Sequence, residues 1–432
     1  MKLEGATVVV VGMARSGLAA MGLLVDRGAR VIAVDKDAAR LMHLHVLVQP
    51  QTADAFRKAD LVVLSPGVPA DLEELQEARK RGVPVIGDLE LASWFLCGDI
   101  AGITGSNGKT TTTALAGHIL KESGIPVQVG GNIGTPPASM VKTSRAGQWN
   151  VLELSSFQLE TIGSFHARIG AVLNVTPDHL DRHHSMEKYV AAKGRLFENQ
   201  TARDYAVLNA DDPWARGYAT AARKLWFSLQ GPASPGAWLE GERILLNGDP
   251  LMEAGEVPLR GRHNIENAMA AALVAHIAGA PHGRIRAAIA SFPGVEHRLE
   301  FVRELNGVSW YNDSKATNVD ATLKAIAAFP GGLWVILGGK DKNSDYSPLA
   351  APLREKARGV LLIGAAASKI ESQLAGCAPL IGCVTLNAAV QQARARAGKG
   401  ETILLAPACA SFDQFENFEH RGREFKRLVR EL

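Results

Sequence analysis

The sequence predicts an α/β protein of three domains, 1–97, 98–293 and 294–432. Three observations predict it. Short apolar runs alternate with helical periods through residues 1–97, and the same alternation returns after residue 294, the pattern of parallel sheets wound by helices. Between them, an apolar run at 100–104 leads into a tight glycine loop and a helical period, GDIAGITGSNGKTTTT at 98–113, the strand–loop–helix unit of a P-loop-like mononucleotide-binding domain. A length of 432 residues suits about three domains.

Composition narrows the class. A hydrophobic content of 47% and a charged content of 21% describe an ordinary globular chain. A net charge of +3 argues for neither nucleic acid nor a membrane surface. No apolar run approaches the roughly 18 residues of a membrane span. The start, MKLEGATVVVVG, enters a strand with no signal-peptide pattern. The four cysteines have no CxxC spacing and read as free thiols in a reducing compartment. The expectation is a cytoplasmic monomer.

In the first domain, residues 7–11 form a β-branched strand. GMARSG follows at 12–17, then a helix at 18–27 and a strand at 30–34 ending at Asp35. Such a unit lets backbone approach a pyrophosphate and places an acid near a ribose. Ala14 replaces the middle glycine of G-x-G-x-x-G, so a different nucleotide or a plain tight turn are both open. A strand at 61–64 ends in SPGVP, which puts Ser65, Pro66 and Gly67 at the sheet's ligand-binding edge. Asp71 is expected to cap the next helix.

In the second domain, the N–H groups of Gly105, Ser106, Asn107 and Gly108 and the helix start favour an anion. Lys109 adds charge at the β/γ phosphates, and Thr110 can reach magnesium. Ile103 stands where the strict G-x-x-x-x-G-K-[ST] pattern has glycine. A strand at 127–129 leads into the loop GGNIGTPP at 130–137. The strand at 149–154 carries Glu153 near its end, placed to hold magnesium. The strand at 169–175 runs into a cluster of Asp178, His179, Asp181, Arg182, His183 and His184, which reads as a site. Zinc is disfavoured there by the lack of a second ligand cluster. The helix at 186–199 holds Lys193, which side-chain physics alone leaves on the surface. Residues 224–258 read as antiparallel, and the helix at 262–278 opens with His263, Asn264, Glu266 and Asn267, as caps or as nucleotide contacts.

The third domain opens with a hairpin at 300–311 turning at Asn306-Gly307. Strands follow at 333–337, 359–363 and 402–405, with helices at 317–328, 347–357, 366–374, 387–396 and 413–430. Ser411 falls in the N-cap region of the last.

Taken in order, TGSNGKTTT, GNIG, ELSSFQLE, NVTPDHLDRH, GRHNIEN, EHR, NDSKATN, GGKDK and ASFDQFENFEHRG resemble the Mur ligase family of peptidoglycan synthesis over essentially the whole chain. ELSSFQLE and ASFDQFENFEHRG look like its D-glutamate-adding branch. The resemblance implies an ATP-dependent amide ligase joining D-glutamate to UDP-N-acetylmuramoyl-L-alanine through an acyl phosphate. It implies that Gly105, Ser106, Asn107, Gly108, Lys109, Thr110 and Thr111 cradle ATP, with Asn267, Arg298 and Asp313 at its base and ribose. Two magnesium ions would sit at Thr110, Glu153 and His179, with Lys193 as a carbamate formed from carbon dioxide. Arg15, Ser16, Asp35, Ser65, Pro66 and Gly67 would bind UDP, and Asn132 the muramoyl-peptide end. Lys315, Thr317, Lys342, Ser411 and Phe418 would receive the amino acid. Lys340 stands where some relatives have an acid. Other ligases of the superfamily remain the alternative, separated by ASFDQFENF and the Lys315/Thr317 pair.

Overall fold

Residues 2–432 are described by a computed structural model containing three sheets in two compact units. The first unit comprises the chain up to Glu256 with Glu266–Ser291. The second comprises Val257–Ile265 with Phe292–Leu432.

The N-terminal sheet has five parallel strands in the order Leu47–Pro50, Arg30–Asp35, Thr7–Val11, Leu61–Leu64 and Val85–Gly87. The run TVVVV is β-branched throughout because it is buried on both faces. Val8 and Val10 pack with Leu23 and Leu24 of the helix Arg15–Asp26, while Val9 and Val11 pack with Phe56, Leu75 and Ala78. The strand Leu47–Pro50 is short and largely exposed, and Val85–Gly87 has only three residues, so neither carries a sequence signal. Asp71 does not cap. The helix Glu73–Lys80 starts at Leu72 without a side-chain cap.

The central sheet has nine strands: Asp249–Glu253, Arg243–Leu246, Gly236–Glu240, Arg223–Ser228, Tyr205–Asn209, Ile169–Val172, Asp99–Thr104, Trp149–Glu153 and Val127–Gly131. The segment expected to be antiparallel is so only in part. Arg223–Ser228 and Gly236–Glu240 continue the parallel ladder, and antiparallel pairing is confined to the two contacts of Arg243–Leu246, with Gly236–Glu240 and Asp249–Glu253. The strand expected at 169–175 ends at Val172, and the helix expected at 186–199 is α-helical over Met186–Gly194 and tightens to 3₁₀ over Arg195–Phe197.

The C-terminal sheet runs Glu300–Leu305, Val308–Asn312, Thr402–Leu405, Leu333–Gly338, Ala357–Ile363 and Leu380–Val384. Its first pair is the expected hairpin, and the rest are parallel. The last helix is Phe418–Arg430, capped by Asn417 rather than near Ser411.

One acid ties the first two sheets together. Glu90, 2% exposed on the helix Asp88–Ser93, accepts the N–H groups of Gly163, Ser164 and Phe165 at 2.8, 2.8 and 2.9 Å. The Ser164 hydroxyl and Trp94 Nε1 add bonds at 2.5 and 2.9 Å. Burial raises its pKa, but these donors outweigh burial and hold it below the usual carboxylate range. Glu90→Ala orphans the donors and is expected to lower the unfolding free energy by about 3 kcal/mol. Urea titration checks this, and a midpoint matching wild type would refute the staple.

Candidate functional site

The loop after Asp99–Thr104 is braced by one residue not singled out from the sequence. The Asn107 N–H donates to Asn174 Oδ1 at 2.8 Å, and Asn174 Nδ2 returns a bond to the Asn107 carbonyl at 3.1 Å. Gly108 sits at φ 86 and caps the helix Lys109–Glu122. A Cβ there would fall 2.3 Å from Asn267 Oδ1, so the glycine is required by crowding as well as by φ. Asn267 also accepts from the Thr112 hydroxyl at 3.2 Å. Asn267 thus stands against the loop itself, in the first unit. Arg298 and Asp313 belong to the second.

Two lysines converge on one oxygen. Lys109 Nζ donates to the Gly105 carbonyl at 2.7 Å and to the Ser106 carbonyl at 2.9 Å, and Lys193 Nζ donates to the same Gly105 carbonyl at 2.9 Å. Lys193 is not on the surface. It is 1% exposed, with its Nζ 4.4 Å from the centre of the Tyr189 ring. Burial, and then the charge of Lys109, push its pKa well below the usual lysine range. Helix periodicity could not reveal this, because what buries Lys193 is the phosphate loop of another element.

Glu153, 2% exposed, accepts from the Thr110 hydroxyl at 2.7 Å and from Asn132 Nδ2 at 3.2 Å. A carboxylate and a hydroxyl at this distance beside a phosphate loop are the hard oxygen donors that suit magnesium. His179 is held in the left-handed region, φ 54, with its ring 4.9 Å edge-on from Phe157 and 3.5 Å from Asp178 Oδ2. His183 is committed elsewhere. Its Nε2 lies 2.9 Å from Ser156 Oγ and its Nδ1 3.1 Å from Glu160 Oε1. It locks the ELSSFQLE and DRHH segments together.

The N-terminal candidates all meet in one cleft of about 530 Å³, lined by Arg15, Ser16, Asp35, Ser65, Pro66, Gly67 and Asn132. Asp35 braces the glycine loop, accepting from the Met13 N–H at 2.5 Å and the Asp37 N–H at 2.8 Å. The Ser65 hydroxyl donates to the Gly12 carbonyl at 2.6 Å. Gly17 is fixed by close approach, since a Cβ would sit 1.8 Å from the Gly12 carbonyl oxygen. Arg15 donates to the Gly134 carbonyl at 2.6 Å, which is how the loop at 130–137 reaches this cleft.

In the second unit, Lys315 and Thr317 follow Val308–Asn312, Lys342 follows Leu333–Gly338, and Ser411 follows Thr402–Leu405. These are the C-terminal ends of three neighbouring parallel strands. Lys315 Nζ lies 5.2 Å from the centre of the Phe418 ring. Burial pushes Asp313 up to about 6, against the opposing charge of Arg298. Glu296, His297 and Glu300 cluster closely, but Lys426 supplies their cation, bonding Glu300 at 2.9 Å and also Glu296.

Sequence reasoning also passed over Arg421, which lies in the EHRG run. It is 1% exposed and reaches two loop segments, through Nε to Ser314 Oγ at 3.0 Å, and through NH2 to the Ser314 carbonyl at 2.8 Å and the Cys409 carbonyl at 3.1 Å. NH1 adds the Ala410 carbonyl at 3.4 Å. Its arginine identity was the available signal: carbonyls converging from several directions need a rigid fork of donors.

Three family models match the chain: the MurD-like N-terminal domain of Mur ligases over residues 6–87, the Mur ligase middle domain over 103–275 and the Mur ligase glutamate ligase domain over 297–409. The chain is 60% identical to a UDP-N-acetylmuramoylalanine–D-glutamate ligase of Solibacter usitatus, across 100% of this chain and 99% of that one. It is 50% identical to the ligase of the same name from Acidobacterium capsulatum, across 99% and 97%. Among solved structures, the MurF ligase of Thermotoga maritima in complex with ADP has a TM-score of 0.63 at 17% identity, covering 99% of this chain and 96% of that one, a likeness of fold.

Arg421→Lys keeps the charge and loses the fork. It is expected to speed amide exchange in the segments around Ser314 and Ala410 by about 30-fold, the equivalent of about 2 kcal/mol of local opening. Unchanged protection in hydrogen-exchange mass spectrometry would refute the clamp.

Proposed function

The chain belongs to the Mur ligase family, and from that premise we propose that it joins D-glutamate to UDP-N-acetylmuramoyl-L-alanine with cleavage of ATP to ADP and phosphate. The glycine loop beside Glu153 and the two lysines carries this reading, since a carboxylate must be activated before an amine can attack it. The ADP complex of the structurally similar MurF ligase agrees with nucleotide use in this fold.

In the proposed reaction, the first domain, residues 1–97, binds the UDP end in the cleft formed by Arg15, Ser16, Asp35, Ser65, Pro66 and Gly67. Asn132 presents the alanyl carboxylate to the loop. The N–H groups from Gly105 to Gly108, with Thr111, hold ATP, and Asn267, Arg298 and Asp313 serve its nucleoside. Lys109 leaves the loop carbonyls for the β/γ oxygens and offsets charge as the phosphoryl group moves to the carboxylate. The carboxylate oxygen attacks γ-phosphorus and ADP departs, giving an acyl phosphate. The third domain, residues 294–432, holds glutamate through Lys315, Thr317, Lys342, Ser411 and Phe418. Its amine adds to the acyl carbon, loses a proton, and phosphate leaves. Thr110, Glu153 and His179 would hold magnesium, which when bound neutralises phosphate charge. The reaction belongs to the cytoplasm, where its nucleotide-linked substrate is made, and the site needs one copy of the chain.

Lys193 works as a carbamate in this reading. A second ammonium on the Gly105 carbonyl, next to Lys109 and with no solvent, is a poor resting state. A neutral amine there can form an N–C bond to carbon dioxide and, on releasing one proton to solvent, become a carbamate anion suited to a cationic site. Ala191, Ala192 and Gly194 are its small neighbours along the helix.

Amino-acid-dependent phosphate release tests the function. It should require UDP-N-acetylmuramoyl-L-alanine and respond to D-glutamate over L-glutamate, alanine and diamino acids. Release with another amino acid alone would reassign the substrate. Lys193→Ala should lose most activity and regain part of it with added acetate, whereas Lys193→Arg, always charged, should not be rescued. A fully active Lys193→Arg enzyme would exclude the carbamate.

A further inference from the structure

A buried acid lies behind the N-terminal cleft. Asp88 opens the helix Asp88–Ser93 directly after the strand Val85–Gly87. It is 1% exposed, and neither of its carboxylate oxygens makes a well-formed hydrogen bond. Its polar neighbours are the Ser16 hydroxyl, on the first turn of Arg15–Asp26, the Gln158 side chain and the helix-start N–H groups of Asp88 and Leu89. Gln158 is also 1% exposed. Its Oε1 is committed to the Ser155 N–H at 3.1 Å, and its Nε2 has no partner. A buried acid without a well-formed hydrogen bond therefore has two polar neighbours, the Gln158 amide and a serine that lines the cleft.

Among the described residues, the main groups acting on the Asp88 charge are hydrogen-bond donors, with no cation among them. The elements packed on its helix are Arg15–Asp26, Pro137–Met140, Ser156–Leu159, Leu61–Leu64 and Val85–Gly87. Among them and its own helix, the other charged side chains are Arg15, Asp26 and Glu90. Arg15 is turned to the Gly134 carbonyl, Asp26 pairs with Lys142 at 2.7 Å, and Glu90 holds the loop at 163–165. Burial pushes Asp88 up to about 6, with only the nearby donors opposing it.

Protonation would remove the buried charge and give Asp88 a proton to donate. A serine has one proton to donate. While Asp88 is an anion, its charge draws the proton of the neighbouring Ser16 hydroxyl, which is then not offered to a ligand. With Asp88 protonated, the acid donates to Ser16 Oγ, its other oxygen accepts from Gln158 Nε2, and the Ser16 proton turns toward the cleft. An anion at the N-terminus of Arg15–Asp26 is favoured by the exposed N–H groups. We propose that Asp88 is a positioning residue of the UDP-substrate cleft, taking up a proton from solvent as the diphosphate enters and thereby directing the Ser16 hydroxyl to it. This rests on the reading of the cleft as the UDP-substrate site.

The sign is fixed by the chemistry. The incoming negative charge raises the Asp88 pKa further, so the complex holds more protons than the free protein. Affinity therefore falls as pH rises above about 6, by at most about tenfold per pH unit. The diphosphate diester does not titrate there.

Calorimetric binding of UDP-N-acetylmuramoyl-L-alanine at pH 7, in PIPES, HEPES and imidazole, counts the protons. The wild type should show uptake of a fraction of a proton. Asp88→Asn should bind with no uptake and with an affinity flat between pH 6 and 8. Zero uptake by wild type, or unchanged uptake in Asp88→Asn, overturns the proposal while leaving the cleft reading intact. Absence of binding by wild type overturns both. Should Asp88→Asn misfold, the wild-type series decides alone, backed by infrared difference spectra. A protonated carboxyl band appearing on ligand addition supports the proposal, and its absence overturns it.

Discussion

Parallel strands joined by helical crossovers must return every loop of one kind to the same edge of a sheet. Most of the candidate chemistry in this chain follows from that constraint. The loops at 12–17 and 65–69 leave the first sheet at its C-terminal edge. Those at 105–109, 130–137 and 173–184 leave the second, and those at 312–318, 339–342 and 406–411 leave the third. The three sheets differ in strand number and order, yet each gathers its candidate loops at that edge.

Loops without periodicity cannot satisfy their own backbone, and long polar side chains do it for them. Asn174 exchanges two bonds with Asn107, Arg421 gathers carbonyls from Ser314, Cys409 and Ala410, and Glu90 collects consecutive N–H groups from Gly163 to Phe165. Each contact spans many residues of sequence, so each gives one loop a fixed place relative to another. The glycines complete this where no side chain fits, as at Gly17 and Gly108.

Electrostatic tension is concentrated at the same loops. Lys109 and Lys193 share the Gly105 carbonyl, while Asp88 and Asp313 are buried acids, each pushed up to about 6. Buried charges so placed have strongly shifted protonation, as Lys193, Asp88 and Asp313 show. That is the usual state of a site built for anionic substrates and cations.

Periodicity and motif were enough to establish the alternating strands and helices, the phosphate loop and the glycine turn of the first sheet, because those signals lie within a few consecutive residues. Glu153 at a strand end and His179 in a polar cluster stood out as candidates for the same reason, whereas the Lys315–Thr317 pair was singled out only by the family resemblance. Short edge strands such as Val85–Gly87, the parallel pairing of Arg223–Ser228 with Gly236–Glu240, and the true start of the last helix were not, since each depends on a partner far along the chain. The burial of Lys193, the fork of Arg421 and the isolation of Asp88 belong to the tertiary structure alone. A side chain's solvation and pKa are set by what packs around it, and those neighbours come from segments that no local pattern relates.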